Sequence, residues 1–118
     1  MSEIKLPELP ESLLPALKLF VDEFDSHLKF FEEQLFPFLQ SPSARSDELR
    51  RSLQHRFHTI RGSSGFFQLE EVSKAAEIAE HRLMDEGILN EPEDLSEEFK
   101  EIISQLSCYF KALEKIIS

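Results

Sequence analysis

The stretch His58-Thr59-Ile60-Arg61-Gly62-Ser63-Ser64-Gly65-Phe66-Phe67-Gln68-Leu69 holds the residue types and spacing best suited to chemistry in this chain. A neutral imidazole is a nucleophile and proton carrier near physiological pH, and its two nitrogens are distinct. On a helix, Arg61 and Gly62 lie at i+3 and i+4 from His58 and Gly65 lies at i+7, so the four share one face. Glycine inside a helix costs up to about 1 kcal/mol relative to alanine. The chain has only three glycines, and two of them stand beside one histidine. Bare backbone there lets another protein's surface approach the ring closely. Arg61, one turn away, is placed to hold an anion on the imidazole.

Helices must position these residues. Leu13, Leu17, Phe20, Val21, Phe24, Leu28, Phe31 and Leu35 recur in steps of three and four, with Ser12 as a cap and Pro37 as a stop. They predict a helix over about 12–36. Two prolines and three serines make 37–46 a loop. Ser46 followed by Asp47 and Glu48 opens a second helix over 47–65, with Leu49, Leu53, Phe57 and Ile60 as its stripe. Leu69, Val72, Ala76, Ala79 and Leu83 mark a third over 69–86, with Gly87 as its stop. Asn90 and Glu93 resemble a capping box for a fourth over 91–117, whose stripe runs through Leu95, Phe99, Ile102, Leu106, Tyr109 or Phe110, Leu113, and Ile116 or Ile117. The expected fold is all-α: an antiparallel up-and-down four-helix bundle, one domain over 1–118, with the first eleven residues as a short N-terminal arm.

Composition narrows the function classes. The chain of 118 residues has 13 Lys plus Arg against 23 Asp plus Glu, a net charge of −10, which speaks against nucleic acid or an anionic membrane as the main partner. Cys108 is single and makes no internal disulfide; beside the fourth stripe it reads as a small, partly buried core residue. No apolar run reaches the roughly 18 residues of a membrane span, and the first residues lack a signal-peptide pattern, so a cytoplasmic protein is expected, and a monomer because one four-helix core can use each helix's apolar stripe. No metal is expected. His55 stands at i−3 from His58, but bundle di-metal sites take Glu-x-x-His on two helices, and Glu77 and His81 are four apart with no second pair. His27 and His81 read as surface residues.

The pattern His58-x-Ile60-Arg61-Gly62-Ser63-Ser64-Gly65-x-Phe67 resembles the signature of histidine-containing phosphotransfer domains, above all the N-terminal phosphotransfer domain of chemotaxis-type histidine kinases. Phe20-Val21-Asp22-Glu23-Phe24 is similar to the family's first-helix opening, Leu49 to Phe67 to its second helix, and Glu77-Ile78-Ala79-Glu80 with Leu83 and Asp85 to the end of its third. The resemblance implies a four-helix phosphorelay carrier with His58 phosphorylated. It implies that Glu80, 22 positions on, hydrogen-bonds the imidazole. Arg61 stands where the family usually has lysine, Gln68 where it has glycine, and Glu77 where chemotaxis-type domains often have histidine.

The resemblance further implies that the chain needs no cofactor and is not an enzyme in its own right. The partner, a kinase catalytic domain or a response-regulator receiver, supplies the metal and catalytic groups. Residues 45–61 hold five arginines against Asp47 and Glu48, a local +3, while 70–101 hold twelve acids against Lys74, Arg82 and Lys100, a local −9. Arg50, Arg51, Ser63 and Phe66 are therefore candidate docking residues, with Gly62 and Gly65 giving clearance. Of Phe66 and Phe67, one should pack inward and the other border the docking surface. Competing readings are an inhibitory interaction module without phosphorylation, and an enzyme using His58 as a general base. For the last, no second catalytic group stands nearby.

Overall fold

A computed structural model describes residues 10–117; most of the expected N-terminal arm lies outside them. Every regular element among the described residues is helical. A 3₁₀ turn (Glu11–Leu13) leads into α1 (Leu14–Phe30), which runs through a π turn (Phe31–Leu35) into α2 (Phe36–Gln40). A second 3₁₀ turn (Pro42–Ala44) precedes α3 (Asp47–Phe66). Then come α4 (Glu70–Met84), a 3₁₀ turn (Glu86–Asn90) and α5 (Ser96–Ile117). Since α1, the π turn and α2 form one continuous rod, the bundle has four rods, and it measures 47 × 27 × 20 Å.

The first rod overruns the expected stop at Pro37. The Phe36 N–H bonds the Phe31 carbonyl, an i→i+5 step. The wider turn lets the proline ring, which has no N–H to give, follow in the next turn of α2. Phe38 and Leu39, expected in a loop, are instead fully buried.

The third helix ends at Met84, before Gly87, and the glycine keeps a negative φ. Its N–H donates to the Asp85 carboxylate at 2.9 Å within the 3₁₀ turn. The fourth helix starts at Ser96 rather than 91, because Pro92 holds the preceding residue extended and Asp94 is the side chain that accepts the Ser96 N–H, at 2.8 Å. Ile88, in the connector, is fully buried.

One core joins the rods. Phe31 stacks on Phe57 at 4.2 Å between ring centroids, Phe24 on Phe110 at 5.7 Å, and Phe20 meets Phe67 at 5.5 Å. Cys108 departs from expectation, being exposed. The buried stripe of α5 passes through Leu106, Phe110 and Leu113, and Cys108 stands about 200° round the helix from its first two members. His27 also departs: its ring is part-buried, its Nδ1 lies 3.2 Å from Arg56 Nη1, and that guanidinium covers the Phe30 ring at 4.1 Å.

Arg45 closes the bundle at the connectors. It is 8% exposed and its guanidinium donates only to backbone carbonyls: Phe38 (2.8 Å) and Leu39 (2.7 Å) at the end of α2, Ile88 (3.3 Å) in the 3₁₀ turn, and Glu91 (2.5 Å) and Glu93 (2.8 Å) before α5. One side chain thus ties two connectors together.

Candidate functional site

Helix α3 begins as its sequence requires: the Ser46 hydroxyl accepts the Leu49 N–H at 3.1 Å, with Asp47 and Glu48 at the positive end of the helix dipole. It ends in a Schellman motif. The Leu69 N–H bonds the Ser64 carbonyl at 2.8 Å and the Gln68 N–H bonds the Gly65 carbonyl at 3.0 Å. That motif requires a left-handed residue, and Gln68 takes it at φ 59°. The turn usual with glycine is therefore kept by a residue that bears about 1 kcal/mol or more of strain there.

The turn sends α4 back along α3. Contacts between the two run in opposite chain order: Arg61 carbonyl to Ser73, His58 to Glu80, Arg50 to the Leu83 carbonyl. This register is what sets a carboxylate beside the histidine. His58 Nδ1 lies 2.8 Å from Glu80 Oε2. Arg61 Nε donates to Glu80 Oε1 at 2.6 Å. The histidine side chain is 55% exposed and that of Glu80 only 5%.

The carboxylate contact, the shorter of the two at Nδ1, favours one imidazole tautomer. A carboxylate only accepts hydrogen bonds, so a bare Nδ1 lone pair facing Glu80 would be repelled. Nδ1 therefore carries the proton and donates it to Glu80, leaving the lone pair on Nε2. Arg61 Nη2 lies 3.0 Å from the same Nδ1. With Nδ1 protonated, this is a close approach without a hydrogen bond, and Nη2 keeps a donor for an anion at the ring.

Burial alone would push the Glu80 carboxyl up. The hydrogen bonds from Arg61 and then His58, together with the arginine charge, outweigh burial and hold it below the usual carboxylate value. Glu80 therefore stabilises the fold fully above its unfolded value of 4.5 and loses that contribution as pH falls through the lower folded one. His27 acts earlier in an acid titration. Burial, with the Arg56 charge second, lowers it from 6.5 to about 4. Between those values the unfolded chain takes a proton that the folded chain refuses, so stability falls as pH drops. From pH 7 to 5 the loss is about 1 to 2 kcal/mol after allowance for partial exposure. Urea midpoints at the two pH values check this, and His27→Gln should remove most of the difference.

The glycines face outward. A Cβ on Gly62 would meet nothing within 4 Å, and one on Gly65 only Ser73 Oγ at 3.8 Å. No internal packing demands either glycine. Gly62→Ala should therefore raise stability by about 0.5 to 1 kcal/mol while slowing any step in which a partner closes on His58. Thermal melts and transfer rates measured together test both halves.

The structure gathers some expected site residues and removes others. His58, Arg61 and Glu80 meet, with Gly62 and Gly65 on the same face. Phe67 packs inward and Phe66 is 63% exposed. Ser63 is partly exposed beside them. Arg51 projects into solvent with 71% of its side chain exposed, paired with Asp47 at 2.7 Å. Arg50 offers a partner nothing: it is 5% exposed, bonded to Asp47 (2.9 Å) and to the Leu83 carbonyl (2.9 Å). With Arg45 and Arg56 also turned inward, the basic helix of the sequence is largely consumed by internal contacts. The i→i+3 spacing of Asp47 and Arg50 was the available signal. Among the described residues no three His, Cys, Asp or Glu side chains group as for a metal, and no helix is long and apolar enough to cross a membrane.

A buried carboxylate thus contacts one nitrogen of an exposed histidine, on a face cleared by glycines. The family model for the Hpt domain matches residues 15–107. The chain belongs to the Hpt domain family. It thereby takes part in two-component phosphorelay, in which Hpt domains are carriers and not classical enzymes. Comparison with curated proteins and with solved structures returned no match.

Proposed function

We propose that this Hpt domain carries a phosphoryl group on His58 Nε2 between a donor and the aspartate of a response-regulator receiver. The donor is a histidine kinase catalytic domain or a phosphorylated receiver. The observation that carries the reading is the 2.8 Å contact of Nδ1 with buried Glu80, which leaves the nucleophilic lone pair on the exposed nitrogen.

The Nε2 lone pair attacks phosphorus, forming N–P as the donor's P–O bond breaks. The proton stays on Nδ1, so the ring becomes cationic and Glu80 stabilises it. In the onward step a receiver carboxylate oxygen attacks phosphorus, O–P forms, N–P breaks, and neutral imidazole returns. Phosphoryl transfer needs mainly positioning and charge neutralisation. Arg61 Nη2 supplies one positive donor to the phosphoryl oxygens. The remaining groups, the metal included, come from the partner. Gly62, Gly65, Ser63, Phe66 and Arg51 form the surface that the partner closes on. The reading includes an antiparallel up-and-down order of the rods, a single domain over 1–118, and a cytoplasmic monomer without a cofactor of its own.

The test is the chemistry of the label. Incubation with phosphoramidate, and separately with phosphorylated receiver domains, should give acid-labile, base-stable phosphate on the His58 peptide. Label on any other residue sinks the assignment. No label from any donor favours the inhibitory interaction module.

A further inference from the structure

At the corner of α3 and α4 lies an open cavity of about 600 Å³ lined by Gly65, Gln68, Glu70, Ser73 and Lys74. Gly65 is on the His58 face, seven residues or about 10 Å along the helix. Gly62, with open space where its Cβ would be, lies between them. Two bare glycine positions therefore lie between the imidazole and the cavity. The Ser73 hydroxyl donates to the Arg61 carbonyl at 3.3 Å, which fixes one wall to the helix turn that carries the site. Lys74 is exposed and has no ion pair among the described residues.

Lys74 stands out against the arginines of α3. Arg50 is bonded to Asp47 and the Leu83 carbonyl, Arg56 is turned to His27 and Phe30, Arg61 is bonded to Glu80, and Arg51 is paired with Asp47. The cation near the bare glycines with its charge unspent is on α4. One lysine with one glutamate, Glu70, a turn away on the same helix makes a poor trap for a free anion. It suits a chain segment that a wider interface already holds in place, presenting one carboxylate to Lys74 and backbone N–H groups to Glu70. The volume has room for a few side chains of a short loop and not for a folded element.

We infer that this cavity is a docking pocket for a carboxylate-bearing loop of the receiver that exchanges phosphate with His58, and that Lys74 is the residue that recognises it. The inference rests on the carrier reading above and adds a contact that orients the partner about two helix turns along α3 from His58.

The probe is a receiver domain that takes label from the phosphorylated parent protein. With it, Lys74→Glu should raise the KM of transfer about tenfold and leave kcat within about twofold, since the lysine touches no reacting atom. Lys74→Arg should restore KM. Gly65→Leu, which fills the cavity from α3, should raise KM as well. Labelling of His58 by phosphoramidate, which needs no docking, should be unchanged by Lys74→Glu. An unaltered KM in Lys74→Glu overturns the pocket and leaves the carrier reading standing. So does a variant that loses phosphoramidate labelling, because the lysine would then act on the imidazole itself. A parent protein that phosphoramidate does not label, or that passes label to no receiver, overturns the carrier reading and the pocket with it.

Discussion

His58→Gln is expected to abolish acid-labile phosphate on this protein from every donor while leaving the far-ultraviolet helical spectrum and the melting temperature nearly unchanged. Glutamine matches histidine roughly in size and keeps a hydrogen bond to Glu80, but its amide nitrogen has no nucleophilic lone pair. More than half of the His58 side chain is exposed, so little packing is lost. Glu80→Gln is the informative companion. It removes the charge that fixes the tautomer and stabilises the cationic phosphorylated ring, and it leaves Arg61 Nε with a weaker acceptor. Outer partners that orient metal-bound imidazoles typically contribute about 10- to 100-fold, and a slowing of label uptake of that order is expected here. The nitrogen chemical shifts of the His58 ring should move from a predominantly Nδ1–H form toward a mixture. Full uptake in His58→Gln would locate the phosphate elsewhere. An unchanged rate in Glu80→Gln would show that burial of that carboxylate serves the fold alone.

The second large effect is on stability. Arg45→Met should destabilise the domain by on the order of 4 kcal/mol, or prevent folding. Each hydrogen bond from a charged donor contributes roughly 1.5 to 3 kcal/mol, and each buried carbonyl left unpaired costs about 1 to 3. Arg45 serves five carbonyls, and water entering the opened space can recover only some of them. Methionine keeps the apolar stem, which separates loss of the guanidinium from loss of packing. Denaturant unfolding measures the change. Arg45→Lys should recover only part of it, since one ammonium has three donors and cannot fork across two connectors. A loss below about 1 kcal/mol would show that water replaces the guanidinium. His58 and Glu80 lie outside the connectors, so phosphoramidate labelling of whatever fraction remains folded should persist.

A net charge of −10 said little by itself, and its division into a basic helix and an acidic second half suggested a docking helix. The fold revises that suggestion. Arginines at 45, 50 and 56 are held by carbonyls, by Asp47 and by an aromatic ring, so a positive sequence segment does not become a positive surface. Surface charge depends on which partners lie within about 4 Å, and these come from the same helix (Asp47) as well as from other elements.

What the sequence determined by itself was local. Steps of three and four fix which face of each helix is apolar, so Leu53, Phe57, Ile60, Val72, Ala76, Ala79 and Leu83 lie in the core as expected. The spacing of His58, Arg61, Gly62 and Gly65 follows from helix geometry alone, and so does their shared face. Ends of helices were less legible, because they are decided by details of turn geometry and by backbone contacts that the apolar spacing does not encode. Pro37 stays helical because the π turn before it relieves its missing N–H. The last helix begins late, where Arg45 grips the Glu91 and Glu93 carbonyls of the strand-like approach. Only the tertiary structure decided the chemistry of Glu80. A glutamate on an acidic helix is ordinarily solvated; here the Schellman turn through Gln68 sets the α3–α4 register, and that register buries this carboxylate against an imidazole and a guanidinium. The histidine and its glycine-cleared face were written in the residue types, whereas the carboxylate that contacts its Nδ1 is brought from 22 residues away by the fold.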